Sequence, residues 1–561
     1  MRFILPIFLA VFTSFTSFAA TDSLIIKGRI LNLSGRLYRQ APSITFSRNN
    51  IFQPQSELSK QAPLEADGSF RVSLPLLYKQ EEIYLDYSGK AFTTFLGSPG
   101  TVEITFNGDS LATKNKLFYF AGANAQANNL FFEYLKNESL LFKNNPSLGS
   151  KFYDTFWQRD LTSALSWAGL RSDLRISALT ATTRRNVPSP TLESWVRSLA
   201  EDERLQNMYE YVLSNEIPLG MGTLLDRLDR LDSVPLTAQK VTFARRFGTY
   251  ADRKMQSVNF QNPAKNRSLP AKLMATLILD NVSSMNTEER EKVSQISVNG
   301  IGSRTDLDFL SKMYSKNELV LNLLFDYERA MRPINEDLAL SKTADFLKGR
   351  YLANNFYKFT PSQVVFLNQH IQSRMMVPEF KSSLDELVRL EVRDSAEVKK
   401  LVSFKDITTS PKEISPGYSF SASNDDGVNW LNIVLSKFIG KTVYLIKWSM
   451  DDESSRELLE FIPAMRSQLP DNVEFVYVHS TFSDEITASK DLWKQYIFHH
   501  HLQGTHLMID NSQTMDLLYK LNPMDAATFA IIKPNGKFYA KTAPSPGDTQ
   551  KAIDAILQAA K

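Results

Sequence analysis

Five of the six histidines lie near the C-terminus: His479, the run His499-His500-His501, and His506. Imidazole is a frequent metal ligand, so His499 and His506 are the candidates for metal-dependent chemistry. Consecutive residues on a helix point about 100° apart, and three adjacent histidines cannot all face one ion. No carboxylate falls at the spacing of a known zinc motif. The residues therefore read as a polar helix end plus one strand histidine, with no metal or other cofactor expected. Leu225 to Asp232 repeats Leu-Asp-Arg with period three. On a helix Asp226 and Arg230 pair four residues apart and the leucines form a buried edge, which makes this a charged amphipathic helix rather than an acidic metal motif. The chain has no cysteine, which removes disulfides, thiolate nucleophiles and sulfur-ligated metals together. No G-x-S-x-G elbow, P-loop or dinucleotide fingerprint occurs.

The 561 residues are too many for one ordinary core and imply several domains. Sixty-four Lys and Arg against sixty-one Asp and Glu leave a formal charge of +3. No whole-chain basic field exists to attract nucleic acid. Arg2, the apolar run Phe3 to Phe12, and Ser17-Phe18-Ala19-Ala20 form a charged start, a greasy segment and a small-x-small exit. That is the pattern of a secretory signal peptide over residues 1–20, with cleavage expected near Ala19 or Ala20. No later stretch is apolar enough to span a bilayer, so a soluble periplasmic or otherwise exported protein is expected. Stability must then come from packed cores alone.

Three regions would have to position any site. Over residues 21–120, the short β-rich runs Leu24 to Ile30, Phe70 to Leu74, Ile83 to Tyr87 and Val102 to Phe106 alternate with turn signals such as Asp67-Gly68 and Asn107-Gly108, predicting a small antiparallel sandwich. Residues 125–402 are rich in helix formers. Ser189-Pro190, Asn286 with Glu289, and Thr360-Pro361 with Gln363 mark helix starts. Val364, Leu367, Ile371 and Met375 share one helical face, and the whole region reads as all-α. Residues 403–427, dense in Ser, Thr, Pro, Asp and Gly, read as a linker. From 428 to 561, Thr442 to Trp448, a helical pattern from Leu458 to Leu469, Val473 to Val478, a helix around Trp493, His506 to Ile509, Thr528 to Ile532 and a final helix predict an α/β domain with a late hairpin at Pro534-Asn535-Gly536.

Gly440-Lys441-Thr442-Val443-Tyr444-Leu445-Ile446-Lys447-Trp448 followed by Arg456, then Val473 to Val478, Asp491-Leu492-Trp493, Gly504-Thr505-His506-Leu507, and Thr528 to Ile532 with Lys533-Pro534-Asn535-Gly536-Lys537, resemble in order and spacing the thioredoxin-like domain of the exported, TlpA-like branch of thiol-disulfide oxidoreductases. Asp67-Gly68-Ser69-Phe70 and Ser98-Pro99-Gly100-Thr101-Val102 resemble the sandwich that precedes that domain in many such proteins. The resemblance implies a Cys-x-x-Cys pair where the strand ending near Trp448 meets the next helix. Those positions are held by Asp452 and Ser455, with Glu453 and Ser454 between them. It also implies a cis-proline before the Thr-led strand, where Ala527 stands. A cis bond before a non-proline residue costs about 2.5–4 kcal/mol, so a trans peptide is expected, although Pro523 lies nearby.

Carboxylate and hydroxyl cannot form a mixed disulfide. Asp451, Asp452 and Glu453 instead put negative charge at a helix N-terminus, and Asp452 is placed to cap it. The expectation is a redox-inactive, exported thioredoxin-fold protein that binds other envelope proteins or peptides over a face including Trp448 and Asp451. Two alternatives stay open: an enzyme of the thiol-disulfide oxidoreductase family by resemblance, and a metal- or ligand-dependent activity in the helical region.

Overall fold

A computed structural model of the protein describes residues 23–52, 58–111, 116–187, 189–215, 233–261, 269–337, 341–402, 411–422, 430–480, 486–509, 511–521 and 527–561. The expected N-terminal signal, residues 1–20, and the Leu225 to Asp232 repeat lie outside them. The described residues within 1–354 and 365–388 form one compact unit, and those within 355–364 and 389–561 form another.

The first unit begins with eight strands: β1 (Ser23–Leu31), β2 (Ser43–Arg48), β3 (Ser59–Pro63), β4 (Ser69–Pro75), β5 (Glu81–Asp86), β6 (Phe92–Gly97), β7 (Gly100–Asn107) and β8 (Tyr119–Gly122). They make two four-stranded sheets, ordered β4-β1-β7-β8 and β3-β2-β5-β6. Alternate residues of both, among them Leu24, Ile26, Ile44, Phe46, Ile83, Leu85, Val102 and Ile104, share one apolar core. The expectation of a wholly antiparallel arrangement is corrected at its centre. β1 and β7 run parallel, from Leu24 opposite Gly100 to Leu31 opposite Asn107, because the chain crosses to the other sheet between them and returns in the same direction.

Helices follow, and the start signals work as expected. Ser189 accepts from the Leu192 amide ahead of the helix Pro190–Ser214. Asn286 and Glu289 close a reciprocal capping box ahead of Thr287–Asn299. The helices are tied to the sheet by a buried carboxylate. Glu82 accepts from Trp195 Nε1 at 3.1 Å, the Tyr84 hydroxyl at 3.0 Å and the Ala238 amide at 2.9 Å. Trp195 in turn stacks on Phe131, with ring centroids 3.8 Å apart. Val364, Leu367, Ile371 and Met375 are all buried, as their shared face requires.

The second unit is built on a seven-stranded sheet of β9 (Lys412–Ser415), β10 (Tyr418–Ala422), β11 (Thr442–Trp448), β12 (Val473–Ser480), β13 (Gly504–Ile509), β14 (Thr528–Ile532) and β15 (Phe538–Ala540), ordered β15-β14-β11-β12-β13-β10-β9. Every residue of β11 is buried, as a strand covered on both faces demands. Its Tyr444, Ile446 and Trp448 enter one core beside Phe475, Tyr477 and Trp493. Val443 and Leu445 enter the other beside Val476, Leu431 and Leu517. β11, β12, β13 and β10 are parallel neighbours, whereas β14 and β15 return antiparallel.

Two expectations are corrected in this unit. Residues 412–422, read as linker, hold β9 and β10. The turn residues Ser415-Pro416-Gly417 join two strands here, and Ile414 of β9 with Tyr418 and Phe420 of β10 supply the apolar side chains that bury them. The helical pattern from Leu458 to Leu469 is two short helices, Glu453–Leu459 and Ile462–Arg466. Pro463, at the start of the second, has no amide to continue the first.

Candidate functional site

The sheet brings the singled-out residues to one end. Trp448 closes β11 and stands opposite His479 of β12. The antiparallel register that pairs Lys447 with Thr528 carries Ala527 to the same end of β11. Ala527 is half-buried against the core, and the peptide bond entering it involves residue 526, outside the described residues, as is Pro523. Between Trp448 and the next helix the chain makes a tight loop, in which the Asp452 amide donates to the Ser449 carbonyl at 3.3 Å.

Asp452 is the N-cap of Glu453–Leu459, its backbone extended and its carboxylate accepting from the Ser455 amide at 2.6 Å. That bond satisfies one of the free donors at the helix start. Glu453 adds a second negative group to the first turn, where the helix dipole favours it. Asp451 and Ser454 face solvent, whereas Ser455 is fully buried.

Trp448 corrects the expected binding face. Its side chain is completely buried, packed edge-on against His479 at 5.0 Å and tilted against Tyr496 at 5.4 Å. It therefore supports the loop from inside the core, and only Asp451 of that expected pair is offered to solvent.

His479 has a task that its sequence context did not reveal. Its Nε2 accepts the Met450 amide at 3.1 Å, which fixes the neutral imidazole with its proton on Nδ1 and pins the loop above it. Burial pushes this imidazole down to about 4. His506 is enclosed more tightly, stacked on Tyr477 at 4.4 Å and on Phe420 at 5.1 Å, with Nε2 2.6 Å from the Leu502 carbonyl. Its imidazole is pushed down to about 3 by the same desolvation. His499 lies 3.7 Å from Glu391. Among the described residues, no group of three or more His, Asp or Glu is arranged to hold a metal ion.

The histidine triplet forms a helix end. The helix Ile486–His499 stops as the Leu502 amide reaches back to the Ile497 carbonyl and the His501 amide to the Phe498 carbonyl, with His501 in the left-handed region at φ 51°. This is the closing pattern that usually places glycine at that position.

Arg456 and Tyr357 complete the site, a pairing across 99 residues of chain that no local pattern signals. Arg456 donates from Nη1 to the Met450 carbonyl and, at 3.3 Å, to the Tyr357 hydroxyl. Its guanidinium carbon lies 4.6 Å from the centre of the Tyr357 ring. Tyr357 meets Tyr496 edge-on at 6.4 Å, and Tyr496 packs on His500 at 4.1 Å. Desolvation holds His500 well below the usual imidazole range, with His499 and Arg456 adding repulsion. In the other unit, a cleft of about 570 Å³ beside Pro190, Ser194 and Ser233 has Glu193 and Arg197 in its lining. Those two pair with each other at 2.8 Å, and the buried Ser198 in the same lining donates its hydroxyl to Asp202 at 2.8 Å.

No family model matches the chain, and no curated protein does. Among solved structures it is similar to one from Bacteroides vulgatus, provisionally assigned as a thiol-disulfide oxidoreductase and determined in solution. The identity is 18% and the TM-score 0.19, over 22% of this chain and 78% of that one.

Proposed function

We propose that this protein is an exported, redox-inactive member of the thioredoxin-like class whose C-terminal unit binds protein or peptide partners in the cell envelope. The observation that carries this reading is the junction after β11. Where the resemblance implies two sulfurs on a helix N-terminus, Asp452 caps that helix through the Ser455 amide. The cap closes the backbone without any group able to exchange a disulfide. Further support comes from the order of elements around it: parallel strands β11 and β12 separated by helix, and an antiparallel β14 and β15 that bring Ala527 beside the loop. The carboxyl ends of parallel strands are where ligands gather in open α/β sheets, and Asp451 and Ser454 are solvent-facing there.

The test places a photo-crosslinking amino acid at Ser454 in the full chain and irradiates it in envelope preparations. Defined protein adducts absent from a control probe at the exposed Asp471, which precedes β12 at the opposite end of the parallel strands, are expected. Identical adduct patterns from both positions would remove the binding reading. Turnover of insulin disulfides above background would remove the redox-inactive one.

A further inference from the structure

Tyr357 lies in a single 3-10 turn, Phe356–Lys358, of the segment that belongs with the C-terminal unit although it is separated from β11 by more than eighty residues of chain. It is half-buried and packs on the same core that holds Trp448. Four interactions hold it, three through the aromatic ring and one through its hydroxyl: the guanidinium of Arg456 over its face, the Lys358 ammonium 5.3 Å from its centre, the edge of Tyr496, and the Arg456 Nη1 donor on its hydroxyl. The same Arg456 donates to the Met450 carbonyl inside the 449–455 loop. The tyrosine thus sits against a side chain that links the helix to that loop. A 3-10 turn of three residues carries little cooperative structure of its own.

We infer that residues 355–360 are an in-cis ligand of the face beside the 449–455 loop, and that this face is a recognition site for a tyrosine-bearing segment. The inference deepens the binding reading above and rests on it. A covalently linked occupant competes at a high effective concentration, so an external tyrosine-bearing segment binds with an affinity reduced by the fraction of time the site is closed.

The test uses the full chain and a labelled peptide, Asn-Phe-Tyr-Lys-Phe-Thr, corresponding to residues 355–360. Binding is read by fluorescence anisotropy for the wild type, Tyr357→Ala and the double variant Tyr357→Ala/Arg456→Lys. The expected result is binding to Tyr357→Ala at least about tenfold tighter than to wild type. The double variant should lose most of that gain, as should a peptide with alanine in place of its tyrosine. Equal affinity of wild type and Tyr357→Ala, or binding indifferent to the peptide's tyrosine, overturns the inference. If Tyr357→Ala does not fold, Tyr357→Leu keeps apolar bulk while losing the ring and hydroxyl, and the same two criteria apply to it. Peptide binding without any adduct from Ser454 supports the in-cis ligand and sinks the partner reading. Adducts without tyrosine-dependent peptide binding do the reverse.

Discussion

His479 links burial to the shape of the loop. An imidazole that titrates near 4 in the fold and near 6.5 in the unfolded chain is neutral when folded, so the unfolded state binds the extra proton between those values. Its contribution is fully present above about pH 6.5 and is lost as pH falls toward 4, and His506 behaves in the same way down to about 3. Each buried imidazole adds a slope of up to about 1.4 kcal/mol per pH unit in that window. Urea midpoints measured from pH 7 to pH 4 should fall steeply for the wild type and less steeply for His506→Phe. Two substitutions bracket the local backbone. Asp452→Ala removes the Ser455 cap and should cost about 1 kcal/mol. His501→Gly relieves a left-handed non-glycine residue and should gain up to about 1 kcal/mol, both read from chemical denaturation at unchanged m. The cap was legible because Asp-x-x-Ser at a helix start has a local cause. The hold of His479 on Met450 was not, since it depends on two strands lying side by side.

At the level of elements, legibility followed where the burial signal resides. β11 and β12 are apolar runs buried on both faces, and such runs announce themselves. β3, Ser-Lys-Gln-Ala-Pro, is mostly exposed and has no β-branched residue, and β8 has only four residues. Each is a strand because a neighbour offers it a ladder, which no local window records. β9 and β10 were hidden by the Pro-Gly turn between them. The tie between the first unit's sheet and its helices was equally invisible, because Glu82 meets Trp195 and Ala238 more than a hundred residues away. Glu82→Ala would leave the buried Trp195 indole N–H and two part-buried donors without this acceptor. A loss of about 3–5 kcal/mol is expected by thermal or urea unfolding, with Glu82→Gln recovering part of it because one carbonyl oxygen remains to accept.

For the molecule as a whole, the absence of cysteine means that neither unit is stapled covalently. Dithiothreitol should leave the melting temperature unchanged, and a shift of several degrees would show a dependence that the sequence forbids. The α/β character of the C-terminal unit was readable because its strands and helices alternate in order. Its extent was not, because its core recruits residues 355–364 from the helical region and a pair of strands from the Pro-rich stretch.

That recruitment governs how the protein can be cut. A fragment beginning at residue 428, the start that the sequence alone recommends, would discard β10 and with it the five-residue parallel pairing from Tyr418–Gly504 to Ala422–Met508. β13 would become a raw margin with unpaired amides and carbonyls along one side, open to the same strand of another copy. Such a truncation is expected to self-associate, with a light-scattering mass above that of one chain. A piece that starts at residue 411 restores β10 to that margin and should self-associate less than the 428 fragment, while still lacking residues 355–364 and 389–402 of the same unit.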